Sequence, residues 1–452
     1  MLVYQRLKRG KYFSHRIKIF ILFIIFIFFL NHPAYSQAWL SFQADAQRTG
    51  RTLVDFSSKD IINLWTFKPT ERIWSYQQGS SVWSSSVCIA NVEDKELVFV
   101  GFYHHNLYCL DARSGKIIWK FIAGGRLDFA PCFAVVEERP IVYIVSSDRT
   151  IYAIDAKTGK KLWSYETLKW SYTVSEAIGS SAVVVLINAI PTVIFSIWNN
   201  DYSLLNNLQA GELFALDARD GRKIYSTILS TSSLNSPAFT YIDGIPTIFI
   251  TSTDGRVFSI DAREGRLIWQ LTLSMGIYSS ASINKENDNG QVFVGSRFGD
   301  LYALDAKNGR ILWSKKFGHA IDSTPAILSI NDKCFLYFGS YDRNIYALDA
   351  KTGEQIWRFR TGDYVAASCA IAKIEGRFVV FAHSLDNKLY CLDALNGSLL
   401  WSQDTGKLIW KYTTRGSTNW SSPAISTARG RPLLVFPSYD GNLYAFSTNQ
   451  AK

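Results

Sequence analysis

One pattern returns along this chain every 44 residues, and it decides the architecture before any single residue is weighed. The pattern is Leu-Tyr-Ala-Leu-Asp-Ala-x-x-Gly-x-x-x-Trp. Its Asp stands at Asp111, Asp155, Asp217, Asp261, Asp305, Asp349 and Asp393, at intervals of 44, 62, 44, 44, 44 and 44. An eighth copy, Asn442 to Ser447, places Ser447 at the Asp position, 54 residues after Asp393. A chain of 452 residues would otherwise suggest about three domains. Eight like units account for the length as one domain instead.

Each unit reads as four short strands. In one of them Phe335–Gly339 is followed by the turn Ser340–Asn344 and then Ile345–Leu348. Asp recurs in that turn (Asp148, Asp254, Asp342, Asp386, Asp440), often before Gly or Asn, as positive-φ hairpins require. The Asp-Ala-x-x-Gly element is a second turn. The strand after it carries Trp119, Trp163, Trp269, Trp313 or Trp357, with Tyr225 as the one substitution. A large flat ring at a fixed place in every unit predicts docking between neighbours. Four-stranded units of 40–50 residues predict an all-β, eight-bladed propeller with four-stranded antiparallel blades. The eighth copy stops before its outer strand. Asn63-Leu64-Trp65-Thr66-Phe67 is an orphan strand of that type, so Trp65 is expected to close the ring from the N-terminal side.

The repeats resemble the pyrroloquinoline-quinone-like propeller repeat. Ala153-Ile154-Asp155-Ala156-Lys157-Thr158-Gly159 with Trp163 carries the resemblance, as do Ala347 through Trp357 and the lead-in Trp39-Leu40-Ser41-Phe42 with Arg48-Thr49-Gly50. The chain resembles the exported non-enzymatic members, of the outer-membrane β-barrel assembly propeller type, more than the quinoprotein dehydrogenases. The resemblance identifies a fold, and function has to be argued separately.

The first 36 residues read as an export signal. Arg6, Lys8, Arg9, Lys11, Arg16 and Lys18 precede the apolar run Ile19–Leu30, and Ala34-Tyr35-Ser36 is a small-x-small cleavage pattern. The run is shorter than the ~20 residues a membrane helix needs. The expected organisation is a signal peptide over 1–36, a lead-in over 37–62 and the propeller over 63–452. The product would be periplasmic or extracellular, cleaved near Ser36, with no transmembrane span. The formal charge of +10 includes the six leader cations, which leaves +4 for the mature chain. That modest charge argues against a nucleic-acid partner, and the 48% apolar content argues against disorder.

Function is sought where the period breaks. Between Trp163 and Asp217 lie 18 extra residues relative to the 44-residue period. They divide between the blade 2–3 connection, near 166–178, and the middle hairpin of blade 3, near 199–209. The second break, after Asp393, looks like a local duplication running from Trp401 to Trp410. The spacing from Trp65 to Trp74 repeats it at the other end. On one face these segments would gather Trp74, Tyr76, Trp83, Trp170, Tyr172, Trp410, Tyr412 and Trp420. Such rings suit a protein or peptide partner, or a glycan. They serve equally as extra docking rings that fill gaps. A monomer that binds a protein or peptide is the leading expectation, with a glycan-binding module as an alternative.

Catalytic chemistry finds little support. The repeated Asps read as turn residues. His104 and His105 are adjacent in a hairpin and point to opposite faces, which rarely suits one metal. The six cysteines include no vicinal pair and no Cys-x-x-Cys, and read as small buried groups. No cofactor is expected. The resemblance implies one alternative, a dehydrogenase using pyrroloquinoline quinone and Ca²⁺. Asp128, Glu176, Asp322 and Asp363 are the acidic residues in blade connections that would supply oxygen ligands.

Overall fold

The computed structural model describes residues 51–56, 61–67, 85–167, 178–200, 209–274, 276–285, 290–374, 376–404, 422–426, 433–437 and 442–448. Within them the chain forms eight successive antiparallel sheets, the blades of a propeller. Blade 6 shows the plan. Ala326–Ile330, Lys333–Gly339, Asn344–Asp349 and Gln355–Arg360 run in order from channel to rim. The second strand is a continuous apolar run because it is covered on both faces. The outermost strand is largely exposed, with Trp357 as its buried residue.

The apolar core lies between blades rather than within them. Phe293, Leu301 and Ala303 of blade 5 pack with Ile327, Leu336 and Phe338 of blade 6. A larger cluster joins Phe102 and Tyr108 of blade 1, Phe381 of blade 7, and Phe436 and Phe446 of blade 8. Blade 8 thus packs against both blade 7 and blade 1. Its fourth strand is supplied from the other end of the sequence. Strand β2, Ile61–Phe67, pairs antiparallel with Leu443–Thr448, with Phe67 opposite Leu443 and Asn63 opposite Phe446.

The rim rings bridge neighbours. Nε1 of Trp119 donates to Ala156 O at 3.0 Å, and Trp163, Trp269, Trp313 and Trp357 donate in the same way to Ala218, Ala306, Ala350 and Ala394. Tyr225 makes the equivalent bond with its hydroxyl, to Ala262 O at 3.1 Å. Each acceptor belongs to the Asp-Ala turn of the next blade. The Gly of that turn lies against the ring: a Cβ on Gly397, at φ 72°, would meet Trp357 Cδ2 at 2.6 Å. The Asp of the turn binds backbone. Asp349 Oδ1 accepts from the N–H groups of Lys351 and Thr352, both at 2.8 Å.

Two segments fall within the expected lead-in. One is the start of β2, and the other is strand β1, Arg51–Phe56. Strand β1 pairs parallel with the channel-facing edge of Ala370–Ile374 in blade 7, Arg51 opposite Ile371 and Phe56 opposite Ile374. A strand of the chain therefore lies on the channel side of the innermost strand of blade 7.

Candidate functional site: the face of blade connections and middle hairpins

Backbone hydrogen bonds put the blade connections and the middle hairpins on one face. The N–H groups of Ser147, Thr253, Arg297, Tyr341 and Leu385, all in hairpins, donate to Arg126, Ser233, Gly276, Ala320 and Tyr364 in the connections. On this face blade 3 departs most from the repeat. Its middle strands, Ile190–Asn200 and Gln209–Asp217, form nine cross-strand pairs where blade 6 forms five. The insertion is thus laid down first as extra ladder, which carries the hairpin above its neighbours. Trp198 in this ladder donates Nε1 to Thr231 O at 3.2 Å, tying the hairpin to the blade 3–4 connection.

The rings expected to gather on this face, Trp74, Tyr76, Trp83, Trp170, Tyr172, Trp410, Tyr412 and Trp420, lie outside the described residues. So does Glu176. The described part of the face holds a different cluster, of which sequence reasoning singled out Asp322 alone. It spans the connections and hairpins of blades 5, 6 and 7.

The cluster starts at Asp322, fully buried in the connection into blade 6. Arg297, from the blade 5 hairpin, faces it with Nε 3.2 Å from Oδ2. The same guanidinium lies over the Tyr278 ring, 4.0 Å from its centroid. Desolvation pushes the Asp322 carboxyl above its ordinary value, and the Arg297 charge opposes the push. Beyond Asp322 three rings cluster. His319 lies 6.0 Å from Tyr341 and 6.1 Å from Tyr364, at interplanar angles of 18° and 25°, and the two tyrosines are 5.2 Å apart. Arg343, at the hairpin apex with φ 71°, places its guanidinium 5.7 Å from the Tyr364 centroid. A smaller relative of the arrangement sits at blades 1 and 2. There Arg126 covers Tyr103 at 4.6 Å and approaches Asp128 at 3.5 Å.

Repeat logic explains both the placement and the oversight. Each connection turns inward at a buried aliphatic (Ile277, Ile321, Val365). At the second hairpin position blades 2 and 4 carry Ser147 and Thr253, while blades 5 and 6 carry Arg297 and Tyr341. The signal is substitution at constant length, invisible to a search for insertions.

Among the described residues no group of three or more His, Cys, Asp and Glu could hold a metal ion. Of the acidic residues put forward for Ca²⁺, the three described ones have other partners: Asp322 faces Arg297, Asp128 faces Arg126, and Asp363 Oδ1 accepts the Tyr364 N–H at 2.9 Å. The three described donors do not form a Ca²⁺ site with one another. His104 is buried against Phe102 and Tyr108, and His383 is buried against Phe436. All six cysteines are free thiols, five of them buried. Burial raises the Cys369 thiol to about 12, which keeps it protonated.

No curated protein sequence matches the chain. Solved structures share the fold at low identity. The quinohemoprotein alcohol dehydrogenase from Comamonas testosteroni aligns with 94% of this chain and 82% of its own, at 13% identity and a TM-score of 0.65. A europium-containing methanol dehydrogenase aligns with 91% and 98%, at 11% identity and 0.64. BamB from Moraxella catarrhalis aligns with 87% and 99%, at 16% identity and 0.55. Those identities speak for the fold alone. The family itself is shown by sequence: a model described as outer membrane protein assembly factor BamB matches residues 46–248 and 253–452, and the chain therefore belongs to that family.

Proposed function

We propose that this chain is an exported, non-catalytic propeller that holds a protein partner on the face of its blade connections and middle hairpins. The observation that carries the reading is the Tyr278–Arg297–Asp322–Tyr341–Tyr364–Arg343 cluster on that face. Tyr and Arg are the residue types that supply most of the energy in protein interfaces. The raised blade 3 hairpin on the same face gives a partner a second wall. Membership of a family described as an assembly factor agrees with a binding role. The leader read over residues 1–36 supports export.

A photo-crosslinking residue at Phe298 and one at Leu395 test the reading. Phe298 is 60% exposed in the blade 5 hairpin, and Leu395 is 50% exposed in the Asp-Ala turn at the opposite end of blade 7. In the cells that produce the protein, Phe298 should yield one dominant protein adduct, identifiable by mass spectrometry, and Leu395 should not. Equal adducts from both positions, or none from Phe298, would defeat the assignment of this face.

A further inference from the structure

The rings and charges around blade 6 say what chemistry the partner brings. The inference rests on the partner-binding reading above and deepens it. Two guanidinium groups crown this blade, Arg343 at the hairpin apex and Arg360 at the end of the outer strand. Both are exposed. They belong to one corner of the blade, since Arg360 pairs with Asn344 and the Thr361 N–H donates to Arg343 O at 2.8 Å. Among the described residues neither arginine pairs with a carboxylate, and the Tyr364 ring is the one group found against Arg343.

The acidic residues of the same connections and hairpins take their bonds from other groups and keep their charge. Asp322 faces Arg297. Asp342 accepts from the Asn344 N–H and the Tyr346 hydroxyl, at 3.0 and 2.6 Å. Asp386 accepts from the Gly362 N–H at 2.8 Å and from the Tyr390 hydroxyl. Asp363 takes the Tyr364 N–H. His319 adds a donor. Its Nδ1 accepts the Ala320 N–H at 2.8 Å, which assigns the proton of the neutral ring to Nε2. The corner therefore offers two forked cations, neither in an ion pair among the described residues, and an imidazole donor beside the three rings.

We propose that this corner binds an acidic segment of the protein partner. A glutamate or aspartate carboxylate sits against the Arg343 fork, and the adjoining chain lies over the His319–Tyr341–Tyr364 cluster. A guanidinium matches a carboxylate in two parallel hydrogen bonds. Contact with the Tyr364 ring restrains the fork beforehand, so less side-chain entropy is lost on binding. The flanking rings give affinity that does not depend on charge. The site thus combines a charge reader with an apolar shelf.

The test uses the mature chain, Gln37–Lys452, and two fluorescein-labelled peptides, Gly-Glu-Tyr-Glu-Tyr-Glu-Gly and its twin with Gln at every Glu, followed by anisotropy. The Glu peptide should bind about tenfold more tightly than the Gln twin, as one charge-assisted bond implies. Arg343→Ala should abolish that preference, while Tyr364→Leu should weaken both peptides and narrow the preference, because it removes the ring beside the Arg343 fork. Arg113→Ala, in the Asp-Ala turn of blade 1 at the opposite end of the barrel, is the control and should change nothing. Equal binding of the two peptides, or an unchanged preference in Arg343→Ala, overturns the inference. So does displacement of the Glu peptide by equimolar tri-galacturonate, which would make the ligand an acidic glycan. If the peptides fail to discriminate while Phe298 still crosslinks a partner, the acidic recognition falls and the partner face stands. If both fail, the partner face falls as well.

Discussion

The backbone N–H of Ser422 donates to Oγ of Ser86 at 2.9 Å, across 336 residues of sequence. This bond joins the last blade to the first beside the channel, and it belongs to a belt. Ser280 N donates to Thr324 Oγ1, Thr324 N to Ser368 Oγ, and Ser368 N to Ser422 Oγ, at 2.9–3.2 Å. Ala130 N and Ser181 N continue it, to Ser181 Oγ and Ser236 Oγ. Each hydroxyl sits at the same repeat position and receives the N–H of the blade before it. Blade 2 carries Ala130 at that position.

The belt makes Ser86 a closure residue. Ser86→Ala strips the acceptor from the buried Ser422 N–H and leaves it unpaired. The expected cost is about 1–3 kcal/mol. Ser368→Ala, within the ring, should cost a similar amount. Urea unfolding at constant slope measures both. A change below about 0.5 kcal/mol in either variant would mean that water replaces the hydroxyl and the belt adds nothing.

A second prediction concerns the rim. Trp357→Phe keeps a ring but removes the 2.8 Å bond to Ala394 O, at an expected cost of about 1–2 kcal/mol plus the lost ring area. Gly397→Ala should cost more. It forces a Cβ into the left-handed region, about 1–2 kcal/mol, and into the Trp357 ring. Thermal melts should rank wild type above Trp357→Phe and Gly397→Ala lowest. Equal melting temperatures for wild type and Gly397→Ala would show that the ring moves aside freely.

A third prediction separates the two N-terminal strands. A chain beginning at Ser57 lacks β1 and keeps β2. A chain beginning at Lys68 lacks both. Loss of β2 exposes the edge of Leu443–Thr448, leaving blade 8 with three strands. The second truncation should lower the melting temperature sharply and promote aggregation. The first should have a smaller effect, because β1 adds one short parallel pairing with irregular register. If the chain beginning at Lys68 melts like the full mature protein, ring closure by β2 does not stabilise the propeller.

How much of this was legible in the sequence depends on distance along the chain. The blades were, because each is a local unit whose turns announce themselves: Asp349 and Gly353 act within five residues of one another. The belt was not, because one Ser per 44 residues looks like ordinary small polar composition until neighbouring blades align it. Nor was β1. Its partner strand, Ala370–Ile374, lies at the other end of the chain, and parallel pairing leaves no hairpin signal. The Arg297–Asp322 pair was half legible. Asp322 was singled out as a ligand candidate, but a carboxylate's partner is set by the adjacent blade, and here that partner is a guanidinium rather than a metal.

That pair gives the last prediction. Burial holds the Asp322 carboxyl above its ordinary value, and Arg297 limits the rise. Between the ordinary and the raised value the native chain binds more protons than the unfolded one. The contribution of this group to stability is therefore present below the ordinary carboxylate range and is lost as pH rises through the raised value. Arg297→Ala removes the compensating charge and raises the carboxyl further. At neutral pH the variant should be less stable by about 2 kcal/mol, below the ~3–5 of a fully buried pair because Arg297 is partly exposed. The deficit should shrink as pH falls towards the carboxylate range, because protonation then removes the stranded charge. Arg263→Ala is the contrast. Its bonds hold the Asp261 carboxyl below the ordinary value, so its effect should persist until the solution is more acidic. Urea midpoints over a pH series measure both. A pH-independent deficit in Arg297→Ala would show that the arginine stabilises through its contact with Tyr278 and not through the buried carboxylate.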